Sequence, residues 1–335
     1  MPLRSDWNYG VARKCRRCVL DGETVLRLNS CAWQAEIVAS VNANMISLKH
    51  LPDGLELLRA PGSMAALRAK PEVYGIPALL PPNRIAGGEF SCNGRRYSLP
   101  VNEAGRANHI HGVLLGRPFK IEEAWEQAGN AFAKLSFMFD AHDIAFNGYP
   151  HEFKATLEYS FTAQEVSQRF SLENLSSSPM PFGLGFHTAF RVQAPDFAAE
   201  IPAGDGQWEL AADTRLPTGR LIPWLDGEDF RQDGGRPVAS APVACHFPLQ
   251  GTGAVHDLRL RSPSRGLEIV YSFDSAYKHC AVWNDGGGKG FVCIEPMTWM
   301  TNAPNIPSLS PLETGLQLLT PGSRWTARSS IKVMS

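Results

Sequence analysis

The stretch Ala155-Thr156-Leu157-Glu158-Tyr159-Ser160-Phe161 alternates apolar and polar residues one by one. Leu267-Glu268-Ile269-Val270-Tyr271-Ser272-Phe273 repeats the pattern with one exception at Val270, and residues 131–139 follow it more loosely. A period of two places one face of a β-strand on a core and the other face toward solvent or a second layer. These stretches therefore predict a protein built from half-buried strands.

Turn signals separate the predicted strands. Asn93-Gly94 lies between two short strand candidates, which is the strongest short-range hairpin signal. Asp285-Gly286-Gly287-Gly288-Lys289-Gly290 separates two more candidates, residues 280–283 and 291–294. No long amphipathic helical pattern occurs, so the sequence predicts an all-β fold, a large antiparallel β-sandwich with few short helices.

Composition sets the domain organisation and the expected partners. The 335 residues suffice for a sizeable core, and the 25 prolines and 30 glycines are spread without marking a linker. We therefore expect a basic N-terminal arm over residues 1–20 and one β-sandwich domain over residues 21–335. With 32 basic and 33 acidic residues there is no domain-wide positive field. Nucleic acid is therefore not an expected partner.

The cysteines and the apolar runs indicate the compartment. Seven cysteines are scattered along the chain, and free thiols in a reducing compartment are the simplest interpretation. Cys15 and Cys18 form one C-x-x-C without a second pair, so a zinc site there is the less favoured alternative. Neither a signal peptide nor a run of 18 apolar residues is found, and we expect a cytoplasmic protein without membrane contact.

Several catalytic signatures are absent. The sequence has no G-x-S-x-G, no H-E-x-x-H and no G-x-G-x-x-G after a strand. The glycine run before Lys289 lacks the first glycine and the following Ser or Thr of a phosphate loop, so it predicts a β-turn. These absences argue against nucleophilic, zinc-protease and dinucleotide chemistry, and no cofactor or metal is expected.

Two residues interrupt apolar segments in a way that suggests chemistry. Glu295 closes the run 291–294, directly before Pro296, and His187 follows the apolar run 182–186. An apolar strand seldom ends in an ionised carboxylate unless that group is paired or used. Glutamate and histidine are well suited to proton transfer near neutral pH. We interpret them as a base and an acid on separate strand ends.

Two further segments carry polar groups among apolar neighbours. Asn83-Arg84-Ile85 precedes a glycine pair, and Asn108-His109-Ile110-His111-Gly112 places two histidines two residues apart, on one side of an extended segment. A metal site there lacks a third ligand. Each residue alone has a structural explanation, such as a core histidine or a paired arginine. Together they predict a polar cluster at the open end of the sandwich, where a sugar-sized ligand is held.

These segments, in their order and in their residues, resemble the aldose 1-epimerase (galactose mutarotase) family. The resemblance covers about residues 20–330 and has its strongest points in the following segments: Asn83-Arg84-Ile85 with Phe90, Asn108-His109-Ile110-His111-Gly112, Gly148-Tyr149-Pro150, residues 174–181, Gly185-Phe186-His187, Leu216-Pro217-Thr218-Gly219, and Cys293-Ile294-Glu295-Pro296-Met297-Thr298. The family fold, a large antiparallel supersandwich, agrees with the period-two pattern.

The resemblance implies a racemase or epimerase acting on a carbohydrate, and it assigns roles to individual residues. Glu295 would be the general base and His187 the general acid, while Arg84, His111 and Asn83 would bind the sugar. The family also uses an aspartate on sugar hydroxyls, but the matching segment here reads Val243-Ala244-Cys245-His246-Phe247. Either His246 replaces it, or Asp226 or Asp229 reaches in, or the contact is missing.

Three alternatives to a mutarotase of a free aldose remain open. One is an enzyme of this fold acting on a hexose 6-phosphate, a sulfonated hexose or a deoxy sugar. A phosphate or sulfonate requires a cationic pocket, for which Arg95, Arg96, Arg106 and Arg117 are candidates. The second is a non-catalytic carbohydrate binder. The third is a glycoside hydrolase or lyase, which requires a second catalytic carboxylate. In each case the partner is a small sugar, and the sequence does not determine the oligomeric state.

Overall fold

The computed structural model describes residues 13–14, 16–225, 228–232, 234–250 and 253–334. The three alternating stretches form long strands, Asn130–Phe139, Phe153–Phe161 and Leu267–Asp274. Most of their apolar positions are buried, since apolar side chains on one face of a pleated strand pack together away from water, while Phe132 and Phe137 are half-buried and Met138 is exposed. The all-β prediction is confirmed, and the strand pairings in the described residues are antiparallel apart from an isolated parallel bridge, Leu80–Gly112.

The largest sheet has ten strands. In spatial order they are Arg13–Lys14, Lys120–Gln127, Asn130–Phe139, Phe153–Phe161, Val166–Asn174, Arg324–Met334, Leu267–Asp274, Val255–Ser262, Ala198–Glu200 and Arg236–Pro237.

A second sheet of six strands faces it, and a third sheet of five strands is formed near the N-terminus. The six-stranded sheet runs Ala244–Pro248, His279–Trp283, Phe291–Met297, Gly185–Phe186 and Ala78–Leu79, with Thr188–Arg191 also paired to Phe291–Met297. The five-stranded sheet runs Arg16–Leu20, Glu23–Asn29, Trp33–Val38, Asn44–His50 and Leu55–Glu56.

Short hairpins and helices fill the connections. Four two-stranded sheets pair Glu89–Cys92 with Arg95–Ser98, Arg84–Ala86 with Asn108–Ile110, Met180–Phe182 with Gln317–Leu319, and Gly206–Leu210 with Pro217–Pro223. The α-helices of the described chain are Met64–Ala69 and Pro311–Thr314, and the 3-10 turns are Pro71–Val73, Ala104–Arg106, Pro263–Arg265 and Ala303–Asn305. None of these helices exceeds six residues, as the absence of a long helical period predicts.

The six-stranded sheet packs one of its faces against the ten-stranded sheet. The rings of Phe190 and Tyr271 are 5.5 Å apart, and Thr188 Oγ1 donates a hydrogen bond to the Tyr271 hydroxyl at 3.2 Å. Phe186 and Phe170 make a similar edge contact across the two sheets at 6.4 Å. The other face of the six-stranded sheet, called the outer face below, points away from the ten-stranded sheet.

The predicted turns are confirmed. Asn93 and Gly94 have φ of +49° and +73°, and the flanking Cys92 and Arg95 are paired. Two successive positive φ values are the signature of the type I′ turn that Asn-Gly favours. The 285–290 glycine run likewise joins His279–Trp283 to Phe291–Met297 and leads into no helix.

The N-terminal segment is only partly described. Arg13–Lys14 pairs with the strand Lys120–Gln127, and Arg16–Leu20 pairs with Glu23–Asn29. The domain boundary at residue 20 stays a prediction, and the Cys15–Cys18 zinc alternative falls on Cys15, outside the described residues. The other six cysteines are free thiols. Within the described ranges, no helix is long and apolar enough to cross a membrane.

Candidate active site

His187 and Glu295 lie opposite each other on neighbouring strands. Thr188 is paired with Ile294 in the antiparallel register, so the preceding His187 stands across from Glu295. Because residues opposite each other share a face, both side chains point to the outer face of the six-stranded sheet. Glu295 is the fifth of seven residues in its strand, not a strand end as the sequence had suggested. The polar cluster therefore lies on a sheet face.

The same register continues across two more strands. Ala281 lies opposite Glu295, and His246 lies opposite Ala281. His187, Glu295, Ala281 and His246 thus form one row across the outer face, which is called the site row below. The smallest side chain in this row separates the glutamate from the distal histidine, so we expect the row to accommodate a ligand at its centre, above Ala281.

The two residues that the sequence predicts as acid and base are in direct contact. His187 Nε2 lies 3.1 Å from Glu295 Oε1, and the two side chains are only 5% and 4% exposed. The remaining polar atoms, His187 Nδ1 and Glu295 Oε2, are buried without a hydrogen-bond partner in the described structure. A buried carboxylate oxygen without a partner is costly, so this arrangement is typical of a group that a ligand completes.

His111 packs edge-on against His187. The ring centroids are 5.2 Å apart at nearly a right angle, and His111 has a left-handed φ of +68° directly after the strand Asn108–Ile110. This backbone turn separates it from His109, whose Nδ1 lies 2.7 Å from the Pro100 carbonyl oxygen. The two histidines that the sequence places on one side therefore have different partners. In the ranges that the structure describes, no three His, Cys, Asp or Glu residues form a metal-binding group.

Burial keeps His111 neutral. Desolvation, with added repulsion from His187 and the Arg84 guanidinium, holds the pKa of His111 well below its ordinary value. Its Nδ1 is buried without a partner. A neutral imidazole presents one donor and one acceptor nitrogen, which suits it to binding a hydroxyl group.

Arg84 is held by a residue that the sequence analysis missed. Its Nε and Nη2 donate to the two carboxylate oxygens of Glu103 at 2.8 and 2.9 Å. Asn83, with φ of +57°, accepts a hydrogen bond from the Arg84 backbone N–H at 3.0 Å. Burial alone would raise the pKa of Glu103, but the bonds from Arg84 and Asn108 outweigh it and lower the pKa. No local motif marks Glu103, because its contact depends on the pairing of Arg84–Ala86 with Asn108–Ile110.

His246 carries two unsatisfied ring nitrogens at the far end of the site row. Both nitrogens are buried without a partner in the described structure, and burial holds the pKa of His246 well below its usual value. Its ring lies 5.6 Å from that of His279. Asp229 and Asp226 are the other candidates for the sugar-binding aspartate of the family. Asp229 is paired with Arg231 at 2.8 Å, and Asp226 lies outside the described residues.

The alternative anion ligands are mostly paired elsewhere. Arg96 pairs with Glu89 at 2.7 Å, Arg106 with Glu103 at 3.0 Å and Arg117 with Asp143 at 2.7 Å. Arg95 is exposed and reaches the Pro150 carbonyl oxygen at 3.5 Å. None of them belongs to the six-stranded sheet.

Comparisons with known proteins identify relatives of this chain over most of its length. A family profile described as aldose 1-epimerase matches residues 37–332. The crystal structure of a galactose mutarotase-like protein from Clostridium acetobutylicum superposes with a TM-score of 0.90 at 28% identity, covering 96% of this chain and 98% of that one. The uncharacterized protein YihR of Escherichia coli is 29% identical, covering 75% of this chain and 80% of its own. A galactose mutarotase of Rattus norvegicus is 24% identical, covering 72% and 73%.

Proposed function

Because the chain belongs to the aldose 1-epimerase family, we propose that it is an isomerase that interconverts the α and β anomers of an aldose by opening and reclosing the sugar ring. The observation that carries the proposal is the buried 3.1 Å contact between His187 Nε2 and Glu295 Oε1. The two oxygens that exchange protons in ring opening, the C1 hydroxyl and the ring oxygen, are bonded to the same carbon. A base and an acid serving them must therefore be neighbours, as these two groups are.

In the proposed reaction Glu295 is the general base and His187 the general acid. The Glu295 carboxylate takes the proton of the C1 hydroxyl while the protonated His187 delivers one to the ring oxygen, and the C1–ring-oxygen bond breaks. The aldehyde carbon then rotates about its bond to C2. The reverse transfers close the ring on the other face and restore both groups, so the cycle needs no redox step and no covalent intermediate.

The remaining site residues are proposed to hold the sugar. Arg84, oriented by Glu103, donates to sugar hydroxyls, and Asn83 borders it. His111 and His246 are neutral imidazoles with unpartnered nitrogens, and each can both donate to and accept from a hydroxyl. We propose that His246 takes the place of the aspartate that relatives of this family use.

The other functional classes have less support. A non-catalytic binder has no need for an acid and a base in contact, and a glycosidase needs a second carboxylate, which the site row does not contain. A cytoplasmic location follows from the scattered free cysteines and stays a prediction.

Polarimetry tests the proposal. Freshly dissolved α-anomers of glucose, galactose, xylose, arabinose and fucose should reach the same final rotation faster with the protein. Glu295→Gln should fold normally and lose about 10²- to 10⁴-fold in rate, since one positioned proton-transfer group supplies that much. Glu152→Gln, at an exposed glutamate, is the matched control and should retain the wild-type rate. A fully active Glu295→Gln would disprove the assignment.

A further inference from the structure

A cavity of about 750 Å³ opens beside the six-stranded sheet and is lined by three cationic side chains, Arg59, Arg191 and Lys289. Lys289 is paired with Asp285 at 2.5 Å. Neither arginine forms a salt bridge with any residue in the described ranges. Two guanidinium groups without a carboxylate partner give the cavity a positive field.

One acidic residue, Glu56, also lines the cavity, but its carboxylate serves the protein backbone and a serine. Ser47 Oγ donates to Oε2 at 2.6 Å, and the backbone N–H of Leu48 donates to Oε1 at 2.9 Å. Counting Glu56 and the Asp285 partner of Lys289 against three cations leaves a formal excess of one positive charge. The lining therefore favours an anion.

The strand register connects this cavity to the site row. Leu58 is bridged to Phe190 in antiparallel register, which places Arg59 across from Ala189, two residues along the strand from His187. Arg59 consequently points to the outer face, one row from the catalytic pair. Two residues along a strand span roughly 7 Å, about the size of a sugar ring.

Aromatic side chains line the outer face between the His187–Glu295 pair and the cavity. The ring of Trp283 lies 6.2 Å from that of His187 and 5.8 Å from that of Phe291. The Arg59 guanidinium stacks over Phe291 at 3.8 Å from its centroid. Arg191 lies directly opposite Phe291 in the same sheet. Aromatic rings of this kind pack against the C–H face of a sugar. Arg59 Nη1 donates a long hydrogen bond to the Val73 carbonyl oxygen at 3.4 Å, and the other N–H groups of the stacked guanidinium remain for a ligand.

We propose that Arg59, one row from the catalytic pair, and Arg191, two rows from it, bind an anionic group carried by the sugar substrate, a sulfonate, phosphate or carboxylate, at the end of the sugar remote from the anomeric carbon. Planar guanidinium groups bind such oxyanions through two parallel hydrogen bonds. The site would thus select a charged aldose over its neutral counterpart. This inference rests on the proposed anomerisation at Glu295 and His187, and it places the charge recognition on residues that the sequence analysis did not consider.

Binding of sugars that cannot open their ring tests the cavity without catalysis. Calorimetry would compare neutral methyl α-glucoside with three charged glycosides. These are methyl α-glucuronide, methyl α-glucoside 6-phosphate and methyl 6-deoxy-6-sulfo-α-glucoside. We expect at least one charged glycoside to bind about tenfold tighter or better than the neutral one, with the advantage shrinking at high salt. Equal binding of all four glycosides would overturn the proposal.

Variants assign the effect to the cavity. Arg191→Gln, at an exposed position, should lose the preference for the charged glycoside, and Arg59→Lys should reduce it because lysine cannot form the two-point contact. Arg328→Gln removes an exposed arginine from the ten-stranded sheet and should keep the preference. If Arg328→Gln lowers the preference as much as Arg191→Gln does, the selectivity reflects overall charge and the proposal fails.

Anomer exchange measured by NMR then separates this inference from the proposed function. Faster exchange of free glucuronate, glucose 6-phosphate or 6-deoxy-6-sulfoglucose than of glucose supports both and identifies the anion. Accelerated exchange of neutral aldoses with no gain for any charged one overturns the inference alone. Charge-selective binding without accelerated exchange of any sugar supports the cavity and overturns the proposed reaction.

Discussion

Glu103 holds Arg84 by two hydrogen bonds, Nε to Oε2 at 2.8 Å and Nη2 to Oε1 at 2.9 Å. The same carboxylate accepts a third bond from Asn108 Nδ2 at 3.0 Å and a fourth from Arg106 at 3.0 Å. It therefore joins the two polar segments, around residues 83–84 and 108–111, that the sequence presents separately. Glu103 fixes the direction of Arg84 and is best described as a positioning residue.

Replacing Glu103 with glutamine should affect substrate binding more than turnover. A glutamine side chain has only one acceptor oxygen and cannot accept from both guanidinium nitrogens. Arg84 then loses its fixed direction, and KM should rise by about tenfold, the value of one charged hydrogen bond. The value of kcat should change little, because the proposed proton transfers occur at other residues. Steady-state anomer exchange in wild type, Glu103→Gln, Arg84→Gln and the double variant checks this. A kcat loss as large as that of Glu295→Gln would contradict a positioning role.

The small side chain of Ala281 should be required for the sugar to fit in the site. It lies between Glu295 and His246 in the site row, and its side chain points to the outer face, away from the contact between the two large sheets. Ala281→Leu should fill the gap and raise KM at least about tenfold, since a few methylene groups in a pocket are worth that much. Sugar binding by calorimetry and thermal unfolding together test this. Ala281→Gly leaves the gap open and is the control; unchanged binding by a folded Ala281→Leu would show that the sugar lies elsewhere.

His246 should act through its hydrogen-bonding nitrogens. Both are buried without a partner in the described structure, so they are free to bond to the hydroxyl groups of a ligand. His246→Phe keeps the planar shape but removes both groups, and KM should rise about tenfold, unevenly among aldoses that differ at one carbon. His246→Gln, which keeps a donor and an acceptor, should recover part of the loss. Equal KM values for the phenylalanine and wild-type proteins would favour the alternative that this contact is missing.

The fold was predictable because its information is local, whereas the details of the site depend on pairing. The alternation in residues 155–161 and 267–273 and the Asn93-Gly94 turn act over a few residues and give the correct elements. Glu295 and His187 stand out because charged or titratable groups are rare in apolar runs.

Which face a side chain takes, and what it meets, requires the partner strand. Phe186 and Trp283 are equally aromatic in the sequence, yet Phe186 packs inward on Phe170 and Trp283 lies outward beside His187. Pro296 made Glu295 resemble a strand end, but the pairing continues through it to Met297. Glu103 and Arg59 reach the site through sheet register, which no local pattern encodes.

His279 should make the protein less stable in mild acid. Its Nδ1 accepts a hydrogen bond from Trp208 Nε1 at 3.4 Å, and its Nε2 donates to the Glu313 carbonyl oxygen at 3.0 Å, so the neutral ring is the one that fits. Burial lowers the pKa of His279 from 6.5 to about 3. Between these values the unfolded chain carries the proton and the folded chain does not, so unfolding takes up a proton and stability falls as pH decreases below 6.5.

At pH 5, one and a half units below the pKa of 6.5 in the unfolded chain, His279 lowers the free energy of unfolding by about 2 kcal/mol, since each unit corresponds to about 1.4 kcal/mol. Urea unfolding at pH 7.5 and pH 5 measures the fall in wild type, in His279→Gln and in His142→Gln, which changes an exposed histidine. In His279→Gln the free energy of unfolding should fall by about 2 kcal/mol less than in the other two proteins. Glutamine does not titrate, and its side-chain oxygen can still accept the hydrogen bond from Trp208. The same fall in all three proteins would mean that His279 is protonated in the folded state as readily as in the unfolded chain.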